Sequence, residues 1–257
     1  MSECLSLAIH DAVAELRLSR PAMLNRFDAL AHKEFIAALA EVRRDLASIR
    51  VLVISADGKV FSAGGDLDEI LEAHNRAEIR DQMASDARLV FDRLVDLPIP
   101  VIAAVQGAAI GLGATIATLA DITVAWRLAK FADTHVNVGI VAGDGGIISW
   151  SQSIGLNRAK RYLLTGDTIT GEQAFAFGLV TDLVDNAEDV LPYARALAGR
   201  IKALSAAGVN GTKRTFAEIT RSRASQAFEI GLALEMQSLA SPDIPATLAQ
   251  LRSKSAR

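Results

Sequence analysis

The chain has 257 residues, 51% of them hydrophobic, only 5% aromatic and 22% charged, with a formal net charge of −3. That length suits one large α/β domain or two small ones, and the aliphatic richness favours helices packed on sheets over a disordered or disulfide-stapled design. Near-neutral charge without a Lys/Arg stripe argues against nucleic acid, a lone cysteine (Cys4) excludes an internal disulfide or a cysteine-built metal cluster, and no basic-then-apolar leader or apolar run of about 18 residues is present. The expectation is therefore a cytoplasmic protein with no membrane or nucleic-acid partner, and Cys4 reads as a surface thiol.

In chain order, two short strands come first, Leu5–Ile9 and Ala12–Leu18, joined by a tight turn at His10-Asp11. Val13, Glu15 and Arg17 take one face of the second strand and Ala14, Leu16 and Leu18 the other. Asp28 is a natural N-cap for a helix whose stripe Phe35, Leu39, Val42, Leu46, Ile49 advances by fours and threes. Val51–Ser55 is a β-branched run of buried-strand character, and a polar, glycine-bearing loop, Ala56–Gly65, leads into a polar helical stretch. A longer helix over Ile79–Leu97 stops at Pro98-Ile99-Pro100. Val101–Val105 is the next strand, followed by a turn over Gly107–Gly113, a small-residue helix at about Gly113–Ala120 and a strand at Ile122–Trp126. Helical patterns dominate from Gly145 onward, with a strand expected at Leu179–Val184. Strand-then-helix units at short spacing predict parallel sheets. The last stretch reads as helices alone and is expected to fold over the core or a neighbouring subunit, which divides the chain into a core at 1–195 and a helical region at 196–257.

No Walker A pattern, Gly-x-Ser-x-Gly elbow or His-Glu-x-x-His motif occurs, and Ile116 stands where a dinucleotide fingerprint running from Gly111 would need its third glycine. Two segments carry a different signal. Phe61-Ser62-Ala63-Gly64-Gly65-Asp66-Leu67 lies between a strand and a helix, and Ile102 through Gly113 ends by opening one. Each sets small residues where backbone N–H groups can approach a ligand, and a helix N-terminus favours a developing negative oxygen.

These two segments, together with Ser19-Arg20-Pro21-Ala22-Met23-Leu24-Asn25, Leu163-Leu164-Thr165-Gly166 and Gly178-Leu179-Val180, occur in the order and at the spacing of the crotonase (enoyl-CoA hydratase/isomerase) superfamily, which the chain resembles over almost its whole length. The resemblance implies an α/β fold, a spiral of ββα units with a C-terminal helical trimerisation region, and assembly as a homotrimer or hexamer. It implies an oxyanion hole of two backbone N–H groups, falling on Ala63 and Leu112, each worth about 3–4 kcal/mol in the transition state. It further implies an acyl-CoA substrate running past Ala22, Leu24, Gly64, Gly65, Asp66 and Leu67, with coenzyme A as part of the substrate and no other cofactor or metal. Arg26 stands where the superfamily has a small residue; a CoA phosphate and bulk solvent are equally open as its surroundings.

The superfamily's hydratases use two glutamates flanking a water, and this chain has Thr115 and His135 at those positions. Ordinary hydration is therefore not expected. His135 is followed nine residues later by Asp144 in Val141-Ala142-Gly143-Asp144-Gly145-Gly146. A carboxylate on one ring nitrogen would fix the imidazole's tautomer and raise its basicity, making His135 a candidate base and Asp144 its partner. This spacing, and the run from Gly139 to Gly145, is similar to 6-oxocamphor hydrolase, a superfamily member that cleaves a carbon–carbon bond in cyclic β-diketones. His32 and Glu235 fall at two further positions echoing it; His32 reads as a buried structural histidine and Glu235 as a candidate substrate contact. His10 and His74 read as solvent-facing. The leading expectation is an acyl-CoA enzyme that stabilises an enolate with His135 and Asp144 in place of the glutamates. The alternatives are a CoA-independent diketone hydrolase and a binding protein without chemistry.

Overall fold

The computed structural model describes residues 4–255; the outermost ends of the chain, 1–3 and 256–257, lie outside the described residues. An antiparallel hairpin opens the structure, β1 (Leu5–His10) with β2 (Val13–Leu18). Its turn is Asp11-Ala12, with φ of 50° and 62°, one residue beyond the expected place. Two successive positive φ values match the right-handed twist of the strands they join. The alternation on β2 is as read: Ala14, Leu16 and Leu18 are buried. Asp28 caps α1 (Ala29–Arg44), accepting a hydrogen bond from the Ala31 N–H at 2.9 Å, and Phe35, Leu39 and Val42 face the core. The helix ends at Arg44, so Leu46 and Ile49 continue the apolar stripe from the following turn rather than from α1.

Three turns of a spiral follow. The first holds β3 (Val51–Ala56), β4 (Val60–Ser62), α2 (Leu67–Asn75) and α3 (Ala77–Val95). The second holds β5 (Val101–Val105), β6 (Ala108–Ile110) and α4 (Leu112–Leu119). The third holds β7 (Ile122–Trp126), β8 (Lys130–Ala132), the single turn α5 (His135–Val138), α6 (Gly146–Ile154) and α7 (Leu156–Leu163). After β9 (Ile169–Thr170), α8 (Gly171–Phe177) and β10 (Asp182–Val184) come α9 (Val190–Lys202), α10 (Ala206–Leu239) and α11 (Ile244–Ser255).

Each turn gives one strand to each of two sheets. The six-stranded sheet runs β1-β2-β3-β5-β7-β10 and the four-stranded sheet β4-β6-β8-β9. All neighbouring strands are parallel except β1 with β2 and β8 with β9. The small sheet is the part the sequence hides. β4 and β6 sit inside stretches that read as glycine-bearing loops, because three residues are too few to reveal a period of two. Β10 is likewise shorter than the strand expected over Leu179–Val184; Leu179 and Val180 are buried ahead of it. Between the layers pack Leu16, Phe35, Leu39, Ile54, Phe61, Phe131 and Trp150.

The helical tail folds back over the chain's own core. Val190, Ala194 and Ala198 of α9 pack on Val51, Val53, Ile102, Ala104 and Val124 of the large sheet, so the expected division at 195/196 falls inside a helix that belongs to the core. Phe228 of α10 stacks on Phe91 of α3 with ring centroids 4.3 Å apart. Ile244 and Leu248 of α11 cover Ile70, Ala73, Val138 and Ile140, closing one wall over the third turn of the spiral. Cys4 is not a surface thiol: it is buried, and burial pushes its pKa up to about 11. His10 is exposed as expected, whereas His74 is partly buried with Nδ1 on the Leu239 carbonyl at 3.1 Å.

Candidate active site

Three parallel strands of the small sheet end side by side, and the residues just beyond their C-terminal ends converge. β4 leads into Ala63–Asp66, β6 into Gly111-Leu112, and β8 into Asp133–His135. The first two loops interlock. Gly64 has φ +86°, and a Cβ there would stand 2.6 Å from the Ile110 carbonyl oxygen, so only glycine allows this approach. The third loop is adjacent: a Cβ on Gly111 would lie 3.9 Å from His135 Cε1.

The backbone donors in the first loop are nearly all spent. The Ala63 N–H donates to the Leu24 carbonyl at 3.0 Å, Gly64 to Ser62 Oγ at 3.1 Å, and Asp66 to the Phe27 carbonyl at 2.9 Å. Among the described residues the Gly65 N–H has no partner. The expected donor at Ala63 is therefore corrected: its N–H is consumed in holding the Leu24 loop, and the unpaired one is Gly65. In the second loop, Thr115 N–H makes the first bond of α4, to the Gly111 carbonyl at 3.0 Å, which leaves the Leu112 N–H among the unpaired first-turn donors. Both Gly65 and Leu112 line a small cavity of about 100 Å³.

Facing that cavity is a buried chain of acid–base groups. His135 Nδ1 lies 2.6 Å from Asp133 Oδ1, and its Nε2 lies 3.6 Å from Asp144 Oδ2. A carboxylate can only accept, so Nδ1 carries the hydrogen. The direct partner of His135 is thus Asp133, two residues away, and not Asp144 as the sequence suggests. The Asp133-Thr134-His135 spacing immediately after a buried strand was the available signal. Asp144 Oδ1 accepts from Thr115 Oγ1 at 3.0 Å and from the Gly146 N–H at 3.2 Å, while its Oδ2 is buried without a hydrogen-bond partner. Thr115, at the first of the two glutamate positions, is fully buried behind Asp144 and holds it. The 3.6 Å gap between Nε2 and Oδ2 is too long for a direct hydrogen bond and suits a bridging atom.

Charges in this chain are strongly perturbed. Burial alone would lower His135, but Asp133, Asp144 and Glu235 around it outweigh that and hold its pKa well above the ordinary value. Burial, helped by Asp133, raises Asp144, against the pull of His135. Burial likewise lifts Glu235 on α10 to about 8, with Asp144 and Asp133 adding to the shift. Glu235 lines the cavity with Oε2 unpartnered, and Gly143 lets the two segments meet: a Cβ there would stand 2.4 Å from the Gly231 carbonyl oxygen and 2.8 Å from Glu235 Oε2.

Two more titratable side chains line the same space. His32 was read as structural, yet it borders the cavity, with Nδ1 on the Asp28 carbonyl at 3.0 Å and its ring edge-on to Phe27. A carbonyl only accepts, so Nδ1 donates and Nε2 keeps its lone pair; burial lowers the pKa, keeping the ring neutral. Glu69, which sequence reasoning missed, is raised to about 7 by burial and by surrounding carboxylates. Gly64, Gly65, Asp66 and Leu67, expected along the substrate path, line the cavity. Ala22 and Leu24 stand outside it on an exposed loop. Arg26 pairs through Nε with Asp66 Oδ2 at 3.0 Å, and its side chain stays 36% exposed.

Asp133, His135 and Asp144 offer ligand-type atoms within 4.8 Å of one another. His135 Nδ1 and Asp133 Oδ1 are committed to each other, and Asp133 does not line the cavity, which leaves Nε2 and Asp144 as the members of that group that face it.

The model of one family, enoyl-CoA hydratase/isomerase, matches residues 8–247. The chain belongs to that family. It is 32% identical over 237 residues to a 2,3-dehydroadipyl-CoA hydratase of Escherichia coli, covering 92% of this chain and 89% of that one. It is 34% identical over 189 residues to a 1,2-epoxyphenylacetyl-CoA isomerase of the same organism, covering 72% and 71%. The crystal structure of an enoyl-CoA hydratase/isomerase from Mycobacterium paratuberculosis superposes with a TM-score of 0.91 at 31% identity, covering 96% and 98%. As a member of the enoyl-CoA hydratase/isomerase family the chain is an enzyme acting on an acyl-CoA-like substrate. The repeating ββα units and long C-terminal helices are those of the superfamily, and the helices are consistent with a trimerisation region. No helix of the described residues is long and apolar enough to cross a membrane.

Proposed function

We propose that this enzyme takes an acyl-CoA thioester, holds the thioester oxygen on the Gly65 and Leu112 N–H groups, and moves a proton at the α-carbon with the His135/Asp144 pair. The observation that carries this reading is the pair of unpaired backbone donors set beside a 3.6 Å gap between an imidazole nitrogen and an unpartnered carboxylate oxygen. Because the surrounding carboxylates favour the imidazolium, Asp144 Oδ2 is the better base and His135 the acid, the reverse of the roles suggested by sequence. Asp144 takes the α-proton, the C–H pair becomes the Cα–C double bond, and the carbonyl pair moves onto the oxygen between the two N–H groups. Return of a proton to a different carbon is isomerisation. Adding water would need a base on the water while an acid protonates the α-carbon; on this reading both groups of the pair are set on the α-proton, and the Thr115 hydroxyl is spent on Asp144. The test is to offer a 3-enoyl-CoA and crotonyl-CoA: isomerisation of the first should outrun hydration of the second, and brisk hydration surviving both His135→Ala and Asp144→Asn would overturn the assignment.

A second reading has one observation of its own. The short Asp133–His135 bond is the arrangement that orients a histidine to activate water, which suits CoA-independent cleavage of a cyclic 1,3-diketone. Turnover of such a diketone, with no thioester processed, would select it. For assembly we propose a trimer or a dimer of trimers, supported by the apolar side chains that α10 leaves exposed, Phe216, Ile230 and Leu234. Light scattering that reports a monomer at micromolar concentration contradicts it.

A further inference from the structure

Proton transfer at the α-carbon uses Asp144 and His135, with Asp133 and Thr115 behind them. Of the titratable groups in the cavity wall it leaves Glu235, His32 and Glu69 without a task, and the first two have an open hydrogen-bonding position. Glu235 is 5% exposed and its Oε2 has no hydrogen-bond partner. His32 has its Nδ1–H committed to the Asp28 carbonyl and presents the lone pair of Nε2. Leaving a polar atom buried and unpaired costs about 1–3 kcal/mol, and more where an apolar surface is pressed against it. A saturated alkyl chain filling this space would impose that cost at both groups. Ile70, Met83 and Ala87 supply apolar wall to the cavity, beside the polar Asp66, Glu69 and Thr134.

Resting on the acyl-CoA reading, we propose that the acyl group this site selects is oxygenated, carrying a hydroxyl or second carbonyl that pairs with Glu235 and His32. The two side chains are complementary in kind. A protonated Glu235 donates to an oxygen, and the Nε2 lone pair of His32 accepts only from a hydroxyl hydrogen, so a hydroxyl satisfies both types of group and a carbonyl only the donor. Discrimination of this kind is stronger than size selection. A site built to hydrogen-bond a hydroxyl rejects the analogue lacking it far better than a pocket rejects an added methylene.

The test is calorimetric binding of isosteric CoA esters to the wild-type enzyme: 3-hydroxybutyryl-CoA against 3-methylbutyryl-CoA, and 4-hydroxybutyryl-CoA against pentanoyl-CoA. At least one hydroxyl ester should bind roughly tenfold or more tightly than its methyl counterpart. The advantage should shrink in Glu235→Leu or His32→Phe. Acetoacetyl-CoA, binding better than butyryl-CoA but losing its advantage only in Glu235→Leu, would favour the carbonyl over the hydroxyl as the recognised group. Methyl esters that bind as tightly as their hydroxyl partners overturn the inference while leaving the acyl-CoA reading intact. Failure of every ester to bind sinks that reading and this inference with it. The wild-type comparison needs no variant to fold.

Discussion

The first two turns of the spiral and the third do different work at one place. After β4 and β6 the chain contributes backbone N–H groups, at Gly65 and Leu112; after β8 it contributes side chains, Asp133 and His135, with Asp144 following at the start of α6. A backbone donor depends on conformation and tolerates a change of side chain, so leucine at 112 keeps what glycine would offer. A proton-transfer group depends on its identity. On the proposed reading the first two turns hold the thioester oxygen, while the third decides which reaction follows.

The contrast breaks most sharply at the side-chain end. Asp144→Asn or His135→Ala should lower kcat by about 10²–10⁴-fold with KM changed little, because each acts mainly in the transition state. The wild-type profile should be bell-shaped. Activity falls at low pH as Asp144 takes up a proton and at high pH as His135, held well above its ordinary pKa, loses one; the apparent values belong to the coupled pair.

At the backbone end, Gly64→Ala should reduce kcat/KM by about 10²–10³-fold, since its Cβ meets the Ile110 carbonyl and forces the two donor loops apart. Leu112→Ala should cost about 2–5 kcal/mol of stability yet keep turnover within a few-fold of wild type, because the N–H remains. Equal losses of turnover in the two variants would erase the distinction between backbone and side-chain contributions.

The smallest effect concerns Glu235. With its pKa raised by burial to about 8, the folded state keeps a proton that the unfolded chain loses above the ordinary glutamate range. Stability contributed by that protonated form is complete below about pH 4.5 and is lost progressively as pH rises towards 8. Glu235→Gln removes this dependence, so its melting temperature relative to wild type should be higher at pH 8.5 than at pH 5. A pH-independent difference would show that Glu235 is not held protonated.

The fold was legible where the chain repeats long signals: the alternation of Ala14, Leu16 and Leu18, the Asp28 cap, and the buried runs of β3, β5 and β7. It was not legible in β4, β6, β8 and β9, which are two or three residues long and owe their strand form to neighbours across the small sheet. For the site, the glycine segments and the His135…Asp144 spacing could be read directly, but hydrogen-bond bookkeeping could not. Only the folded chain reveals that Leu24 occupies the Ala63 N–H, that Asp133 rather than Asp144 bonds Nδ1, and that Arg26 is turned to Asp66. Glu69 looks like an ordinary surface acid on a helix, and only the resemblance singles out Glu235, until α2 and α10 bring both to one cavity.

The central claim is that an acyl-CoA bound here loses its α-proton to the His135/Asp144 pair. Its most direct test is exchange of the α-protons of butyryl-CoA for deuterium in heavy water, followed by proton NMR. The account predicts enzyme-dependent exchange that collapses in Asp144→Asn and His135→Ala while butyryl-CoA still binds; bound butyryl-CoA that keeps its α-protons, or exchange that survives both substitutions, would contradict it.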